Sequence, residues 1–171
     1  YGHGSIASMA AIGLDGGRSS REVMWAYSAA ARAAERNIGV PMGSVAQSEA
    51  GAGTEMALYE KAAVIVTHVC SSAAWNFSQG CRNGKGEMTS TGLEFRIVAE
   101  TGRAVAGMKR QQANDLLNRI LSRYESELGQ APQGKTFPEL YDVNSLKPIP
   151  EYMALYEKVK SELARLGVDY K

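Results

Sequence analysis

The stretch from Gly39 to Glu60 places a strand, a glycine-containing loop and the start of a helix in direct succession. An apolar run leads into Gln47-Ser48-Glu49, the loop continues as Ala50-Gly51-Ala52-Gly53, and Thr54 is a typical N-terminal cap for the following helix. The two glycines permit backbone conformations and close approaches that a side chain prevents. This order predicts a β-strand–loop–α-helix unit. No Gly-Lys-Ser/Thr follows the glycines, which excludes a phosphate loop of the Walker type.

Similar units are predicted on either side of this stretch. Short apolar runs predict three strands, at Met9–Leu14, Val40–Ala46 and Ala73–Ser78. A helix is predicted after each strand, beginning near Ser19, Thr54 and Thr91; Ser19 with Glu22 and Thr91 with Glu94 have the spacing of a capping box. The alternation of strands and helices predicts an α/β fold with parallel strands and right-handed crossovers.

The pattern changes after residue 108. Two amphipathic helices are predicted there, Gln111–Leu128 ending at Gly129 and Pro150–Leu166 ending at Gly167, with an irregular proline-containing segment between them. Leu117 and Leu155 lie on the faces that we expect to be buried. We therefore divide the chain into βα units at 1–108 and a helical extension at 109–171 that packs on them.

The composition excludes several classes of protein. Lys and Arg number 19 against 18 Asp and Glu, and no basic stripe with interleaved aromatic residues is present, which argues against nucleic-acid binding. No apolar run reaches the ~20 residues needed to span a membrane. Cys70 and Cys81 form neither a CxxC pair nor a disulfide framework, so a reduced cytoplasmic setting is expected. Because the chain starts at Tyr1 and three strands would leave open sheet edges, we expect that it is part of a longer protein.

Three segments carry a resemblance to a known family. GTEM at Gly53–Met56, GLEFRIVAETGRAVAGM at Gly92–Met108 and the tail APQGKTFPELYDVNSLKPIPEYMALYEKV at Ala131–Val159 are similar to the C-terminal part of the monomethylamine methyltransferase family, with weaker similarity back to about Arg18. The tail is the most specific of these, because a long irregular segment has no generic reason to recur.

The resemblance implies both a fold and a function. Family members are (β/α)8 barrels of more than twice this length, so the chain would be their last three βα units and C-terminal extension. They transfer a methyl group from the amine to the cobalt of a corrinoid held by a separate protein, and they assemble as homo-oligomers. Many hold the amine with pyrrolysine, in a part of the family's chain that is absent here. No cofactor is expected to bind this chain directly.

The family's glutamine that faces pyrrolysine lies near the end of the strand before GTEM. Aligned without gaps, that position is Val45 here, and the nearest glutamine is Gln47. A small gap would restore the match. Without one, a relative with a different methyl donor is the alternative.

The candidate site residues follow the predicted strands, where α/β folds place their sites. Gln47 and Glu49 are the catalytic candidates, and Asp15 and Ser48 are expected to face the substrate or partner; the alternatives are loop polarity, helix capping and the acid of an Asp-Gly turn. Arg82 and Lys85, in a glycine-rich loop predicted at Gly80–Gly86, are either solvated charges or contacts for an acidic or phosphate-bearing partner.

Other residues and functions are weaker candidates. His68 and Cys70 are two residues apart on a helix and point to different faces, so we expect packing roles and no metal site. Two alternative functions remain open: a non-catalytic assembly module that uses the two amphipathic helices, and a small α/β domain that binds an anion at Gly51–Thr54.

Overall fold

The structure, a computed structural model, describes residues 6–7, 17–39, 42–85 and 90–170. The elements in chain order are β1 (Ile6–Ala7), α1 (Arg21–Ile38), β2 (Met42–Ser48), α2 (Glu55–Val69), β3 (Ala73–Cys81), α3 (Gly92–Ala104), α4 (Arg110–Leu121), α5 (Phe137–Leu140), β4 (Tyr141–Asp142), β5 (Lys147–Pro148) and α6 (Pro150–Leu166). Short 3-10 helices occupy Gly17–Ser19 and Glu125–Gln130. Nowhere in these residues is there a helix with the length and apolar character to cross a membrane.

Strands β1, β2 and β3 form one parallel sheet in that order, and the pairing of β2 with β3 confirms the predicted parallel arrangement of these two strands. The predicted first strand, Met9–Leu14, lies outside the described residues. The predicted glycine-rich loop at Gly80–Gly86 was wrong at its start, because β3 continues to Cys81. Ala46 pairs with Ser78 and Ser48 pairs with Cys81, so β3 carries one extra residue in a bulge here, as it also does between Ala73 and Trp75.

The helix caps are the predicted residues, with one exception. Thr54 caps α2, accepting a hydrogen bond from the N–H of Ala57, and Thr91 with Glu94 forms the predicted capping box of α3. The cap of α1 is Ser20 and not Ser19, since the Ser20 hydroxyl accepts from the N–H of Val23. The hydroxyl of Ser19 instead donates to the carboxylate of Glu60, a contact between distant parts of the chain.

Helix α2 is the centre of the molecule. Every residue from Met56 to His68 is buried, as expected for a helix that is apolar on nearly all sides. The sheet lies on one side of it, and α1, α3, α4 and α6 pack around the rest. This arrangement leaves Glu60 and Lys61, in the middle of α2, without access to solvent.

The second part of the chain differs from the prediction in its first helix. Helix α4 ends at Leu121 and not at Leu128, and a 3-10 helix follows, so Gly129 does not terminate an α-helix. Three residues after the end of α4, the ring of Tyr124 is buried and its hydroxyl donates to the carbonyl of Ser19 at 2.7 Å. This long-range contact competes with continuation of the helix.

The apolar faces of α4 and α6 pack inside the molecule. Their buried residues include Leu116, Ile120, Tyr156 and Val159, which join the core around α2. These faces are therefore used within the chain, which removes the observation behind the assembly-module alternative. Leu117 and Leu155 are only partly buried and lie at the edges of these faces.

Replacement of Leu116 by Ala should lower the free energy of unfolding by about 2–5 kcal/mol, because it opens a cavity in the core. Leu117→Ala in the same helix is the matched control and should lower it by less than half as much, since that side chain is partly exposed. Urea denaturation of both variants checks the difference. Equal losses would show that the burial around α4 is not as described.

Candidate functional site

The loops that follow the three strands meet around the carboxylate of Glu49. Its Oε2 lies 3.2 Å from Nη1 of Arg82, in the loop after β3, and its Oε1 accepts from the N–H of Arg18 at 3.4 Å. The carboxylate lies directly on Gly17, where a Cβ atom would come within 1.7 Å of Oε1 and φ is +61°. Glu49 is thus mostly buried, and its carboxylate joins three loops.

Gln47 lies on the face of the sheet opposite to the helices. The side chain of Ser78 faces α2, because its hydroxyl contacts Nζ of Lys61. Ala46 pairs with Ser78, and neighbouring positions on adjacent parallel strands share a face, so Ala46 and Ser48 face α2 as well. Gln47 and Val45 alternate with them and point away from the helices. The half-buried Gln47 is therefore presented at the carboxyl end of β2.

Ser48 does not face a substrate in this structure. It is fully buried, and its hydroxyl donates to the carbonyl of Ala50 at 3.0 Å. The alternation along β2 turns this side chain toward the helices, which the sequence could not distinguish from the opposite orientation. Its main-chain carbonyl accepts from the N–H of Arg82 at 2.8 Å and so joins two loops.

Glu60 supports the loop after β2 from inside the molecule. Its Oε2 accepts from the N–H of Glu49 at 2.7 Å and from the Ser19 hydroxyl, and its Oε1 accepts from the N–H of Ala50 at 2.9 Å. Burial raises the pKa of this carboxyl from 4.5 to about 7, although the three donors act in the opposite direction. One carboxylate on α2 therefore joins the end of the first unit to the loop of the second.

Lys61, the neighbour of Glu60 in the sequence, points into the space between α2 and the sheet. Its Nζ donates to the carbonyl of Ala46 at 3.2 Å and to the hydroxyl of Ser78 at 3.0 Å. Burial lowers the pKa of this amine. Lys61 thus connects α2 to the neighbouring strands β2 and β3.

Glu94 holds the far end of the same loop. Its Oε1 accepts from the N–H of Gly53 at 2.9 Å and from the Tyr152 hydroxyl, and its Oε2 accepts from the N–H of Thr91 at 2.7 Å. The N–H of Gly51 donates to the carbonyl of Pro132 at 2.9 Å. The Gly51 and Gly53 amides therefore already have protein acceptors, one of which is a carboxylate, and this argues against the anion-binding alternative at Gly51–Thr54.

Residues 131–135 of the extension cross the loops that follow β2 and β3. Besides the bond from Gly51 to Pro132, Gly134 donates to the carbonyl of Asn83 at 2.8 Å and Lys135 donates to that of Ala52 at 2.9 Å. Gly51 and Gly134 lie against each other, and a Cβ on Gly51 would come within 2.0 Å of the Gly134 nitrogen. We call residues 131–135 the clasp.

The remaining predicted site residues separate into two groups. Arg82 lies beside Glu49, whereas Lys85 pairs with Glu139 of α5 at 2.8 Å and so belongs to the contact with the extension. Asp15 lies outside the described residues, but the Gly17-Arg18 backbone that follows it contacts Glu49. The structure therefore brings Gln47, Glu49 and Arg82 together at one end of the sheet.

His68 and Cys70 have the packing roles that were predicted. The His68 ring lies 3.9 Å from that of Tyr27, centroid to centroid, and burial lowers the pKa of His68 to about 3. The Cys70 thiol is half-buried near the carbonyl of Val105. Within the part of the chain that the structure describes, no group of three His, Cys, Asp or Glu side chains could hold a metal ion.

Three buried charged residues around this loop were not predicted from the sequence: Glu60 and Lys61, which contact the end of β2, and Glu94, which contacts only the far end of the loop. A signal was present for the first two, since they interrupt the apolar sequence MALYEKAAVIV, and charged residues in such a helix are buried with partners. Glu94 was interpreted only as half of a capping box. Its second oxygen acts on Gly53, a partner that no local pattern identifies.

Comparison with known proteins assigns the chain to a family. A sequence model described as "Monomethylamine methyltransferase MtmB" matches residues 11–168. The chain belongs to the MtmB family. Similarity to MtmB2 of Methanosarcina acetivorans is 38% identity over 121 residues, and to MtmB of Methanosarcina mazei 39% over the same length. These alignments cover 70% of the chain and 26% of each relative, so the chain spans about a quarter of the MtmB proteins that it matches.

Solved MtmB structures have the same fold over this region. The crystal structure of Methanosarcina barkeri MtmB superimposes with a TM-score of 0.85 and 31% identity, covering 91% of the chain and 34% of that protein. A hydroxylamine complex of MtmB superimposes with a TM-score of 0.83 and 32% identity over the same shares. The match therefore includes most of the βα units and the extension.

Gly51→Ala should destabilise the protein by at least about 2 kcal/mol, because the new methyl group would overlap the backbone of Gly134 and Asn83, which cannot move aside independently. Gly129→Ala is the matched control: a Cβ there meets nothing within 4 Å, and the change should stay within about 0.5 kcal/mol. Thermal and urea unfolding measure both. Similar stability of the two variants would contradict the contact between the clasp and the loop.

The raised pKa of Glu60 predicts a pH dependence of stability. The folded protein binds the proton more tightly than the unfolded chain, so this group's contribution to stability is full below about pH 4.5 and falls as the pH rises to about 7. The loss should be roughly 3 kcal/mol. The free energy of unfolding, measured for the wild type and Glu60→Gln across pH 4.5–7.5, should show this fall in the difference between them. A constant difference would contradict the raised pKa.

Proposed function

We propose that this chain is the C-terminal part of a (β/α)8-barrel methyltransferase that moves a methyl group from monomethylamine to the cobalt of a corrinoid on a separate protein. The observation that supports this most directly is the match of residues 11–168 to the MtmB family together with the superposition on MtmB of Methanosarcina barkeri. In this proposal residues 1–108 supply the last three βα units and 109–171 the extension. Homo-oligomeric assembly and a cytoplasmic location stay predictions.

The free edge of the sheet supports further strands beside β3. Among the described strands, β3 pairs only with β2. Between α2, α3 and β3 lies a groove of about 620 Å³, lined mainly by apolar side chains such as Ile65, Val98 and Phe95. The Phe95 side chain is 47% exposed. A neighbouring strand and helix from the rest of a barrel would cover this surface and complete the hydrogen bonding of β3.

The reaction requires that a methyl group lose its bond to nitrogen and gain one to cobalt. In the proposed step, reduced cobalt supplies the electron pair for the new carbon–cobalt bond, and the nitrogen leaves with the pair of the broken bond. The metal centre on the partner protein is a substrate here, and the chain's own task is to orient the reactants and stabilise charge.

The residues at the carboxyl ends of the strands suit this task. The Gln47 side-chain amide can donate to or accept from a small nitrogen compound, and the Glu49 carboxylate stabilises the positive charge of a methylammonium ion nearby. Arg82, paired with Glu49 and exposed, is placed to meet a partner that docks at this end. The solved MtmB complex with hydroxylamine, a compound of comparable size, agrees with a site for small nitrogen ligands in the family.

The proposal also specifies the methyl donor. Val45 stands at the ungapped position of the family's glutamine, and Gln47 lies two residues further on the same face of β2. The two side chains project from the same face of β2, two residues apart. The Gln47 amide therefore lies closer to the carboxyl end of the strand than an amide at position 45 would. We propose that this amide takes the role of the family's glutamine with monomethylamine, and a different methyl donor is the alternative.

A hybrid enzyme tests this function. Residues 11–168 replace the matched segment of Methanosarcina barkeri MtmB, and methylation of the corrinoid protein is measured with mono-, di- and trimethylamine. The hybrid should use monomethylamine, while the 171-residue chain alone should be inactive, since it spans about a quarter of the relatives. A folded hybrid that prefers another donor would overturn the monomethylamine assignment, and one inactive with all three would overturn the methyltransferase proposal.

Variants of the same hybrid test the site. Gln47→Ala should slow methyl transfer at least tenfold with little change in melting temperature, because its amide lies at the surface of the site. Glu49→Ala should slow transfer and also lower the melting temperature, since it breaks the contacts with Arg82 and Arg18. Full activity of both variants would place the site elsewhere.

A further inference from the structure

The positions of Gln47 and Glu49 depend on a part of the chain that does not reach the site itself. Both main-chain N–H groups at the start of the loop, those of Glu49 and Ala50, donate to the carboxylate of Glu60 at 2.7 and 2.9 Å. The same carboxylate accepts from the hydroxyl of Ser19, at the end of the loop after β1. Glu60 is fully buried and cannot touch a ligand on the outer side of the sheet.

We infer that Glu60 is a positioning residue for methyl transfer: it acts through the main chain of Glu49 and Ala50 to fix the carboxyl end of β2, where Gln47 and Glu49 lie. This inference rests on the proposed function. Glu60 lies in α2, on one side of the sheet, whereas the Gln47 side chain projects from the other side.

The three hydrogen bonds at Glu60 are strongest when its carboxyl group is ionised. Its two oxygens receive three donors, and an anion can accept all of them. The amide of Gln turns one of the two polar groups into a donor and sets it against a loop N–H, so one hydrogen bond is lost and a buried N–H is left without an acceptor. A protonated carboxyl can donate to the Ser19 hydroxyl oxygen and still accept from the loop, but its neutral oxygens make weaker hydrogen bonds to the N–H groups of Glu49 and Ala50.

Other charged and titratable groups face Glu60 and set the balance between its two forms. The carboxylate of Glu49 disfavours the ionised form, and electrostatic interactions link Glu60 to Lys61 in α2, to Cys81 in β3 and to Tyr124 after α4. Lys61 is the cation in this group and favours ionisation. The loop therefore has its hydrogen-bonded geometry when Glu60 is ionised, although burial makes that form costly.

Glu94 provides a comparison within the same molecule. It is also fully buried and also accepts from a main-chain N–H of this loop, but at Gly53, four residues after Glu49. A residue that merely stabilises the fold should behave like Glu94. A positioning residue should change the reaction as well.

The test uses Glu60→Gln and Glu94→Gln in the hybrid enzyme that tests the proposed function. We expect Glu60→Gln to lower kcat at least tenfold with a smaller change in KM, because small displacements of oriented groups cost large factors in rate. The kcat of the parent hybrid should rise with pH up to about 7 as Glu60 ionises, and this limb should be absent in Glu60→Gln. Glu94→Gln should lower the melting temperature but keep the pH limb and a kcat within threefold of the parent.

Hydrogen exchange on the 171-residue chain gives a readout that is independent of activity. The N–H groups of Glu49 and Ala50 should exchange at least tenfold faster in Glu60→Gln, while that of Gly51, which donates to Pro132, should change less. If these rates, the kcat and the pH limb all stay as in the parent, Glu60 is not a positioning residue. If exchange accelerates but kcat and the pH limb do not change, its role is structural only, and the proposal is also overturned. An inactive parent hybrid refutes the proposed function, and this inference with it, whereas the exchange rates still report whether Glu60 holds the loop.

Discussion

The loop after β2 has almost no side chains of its own with which to hold a shape. Four of its residues are Ala50, Gly51, Ala52 and Gly53, and its main-chain N–H groups must find acceptors elsewhere. Glu60 accepts from the N–H groups of Glu49 and Ala50, the clasp accepts from that of Gly51, and Glu94 accepts from that of Gly53. A loop of small residues thus has a defined conformation because α2, α3 and the extension each supply one acceptor group.

This dependence explains the unusual burial of charged residues in the molecule. Glu60 and Glu94 are fully buried, which would be costly for isolated carboxylates. Each is compensated by main-chain N–H groups and hydroxyls, and Lys61 is compensated in turn by a carbonyl and a hydroxyl. The buried charges are therefore part of the hydrogen bonding of the loop and the strands, and they link the rigid helix layer to the end of the sheet where Gln47 lies.

The sequence predicted the features that local patterns determine. The order β2–α2–β3–α3, the caps at Thr54 and Thr91 and the end of α6 at Gly167 were correct, because each depends on residues a few positions apart. The short elements α5, β4 and β5 were not predicted. The end of α4 and the cap of α1 were wrong, since Tyr124 and Ser19 make contacts with distant residues. The candidate positions Gln47 and Glu49 came from the rule about strand ends, whereas Glu60, which binds the main chain beside them, is found only when the fold is known.

The clasp has a consequence for the order in which the molecule acquires its shape during synthesis. The strands and α2 leave the ribosome first and can begin to pack, since domains form from the N-terminus onward. Until residues 131–135 have emerged, Gly51 has no acceptor from Pro132, and Ala52 and Asn83 lack the donors that later bind their carbonyls. The loops after β2 and β3 therefore take their final geometry only when a segment about 80 residues after Gly51 has been synthesised.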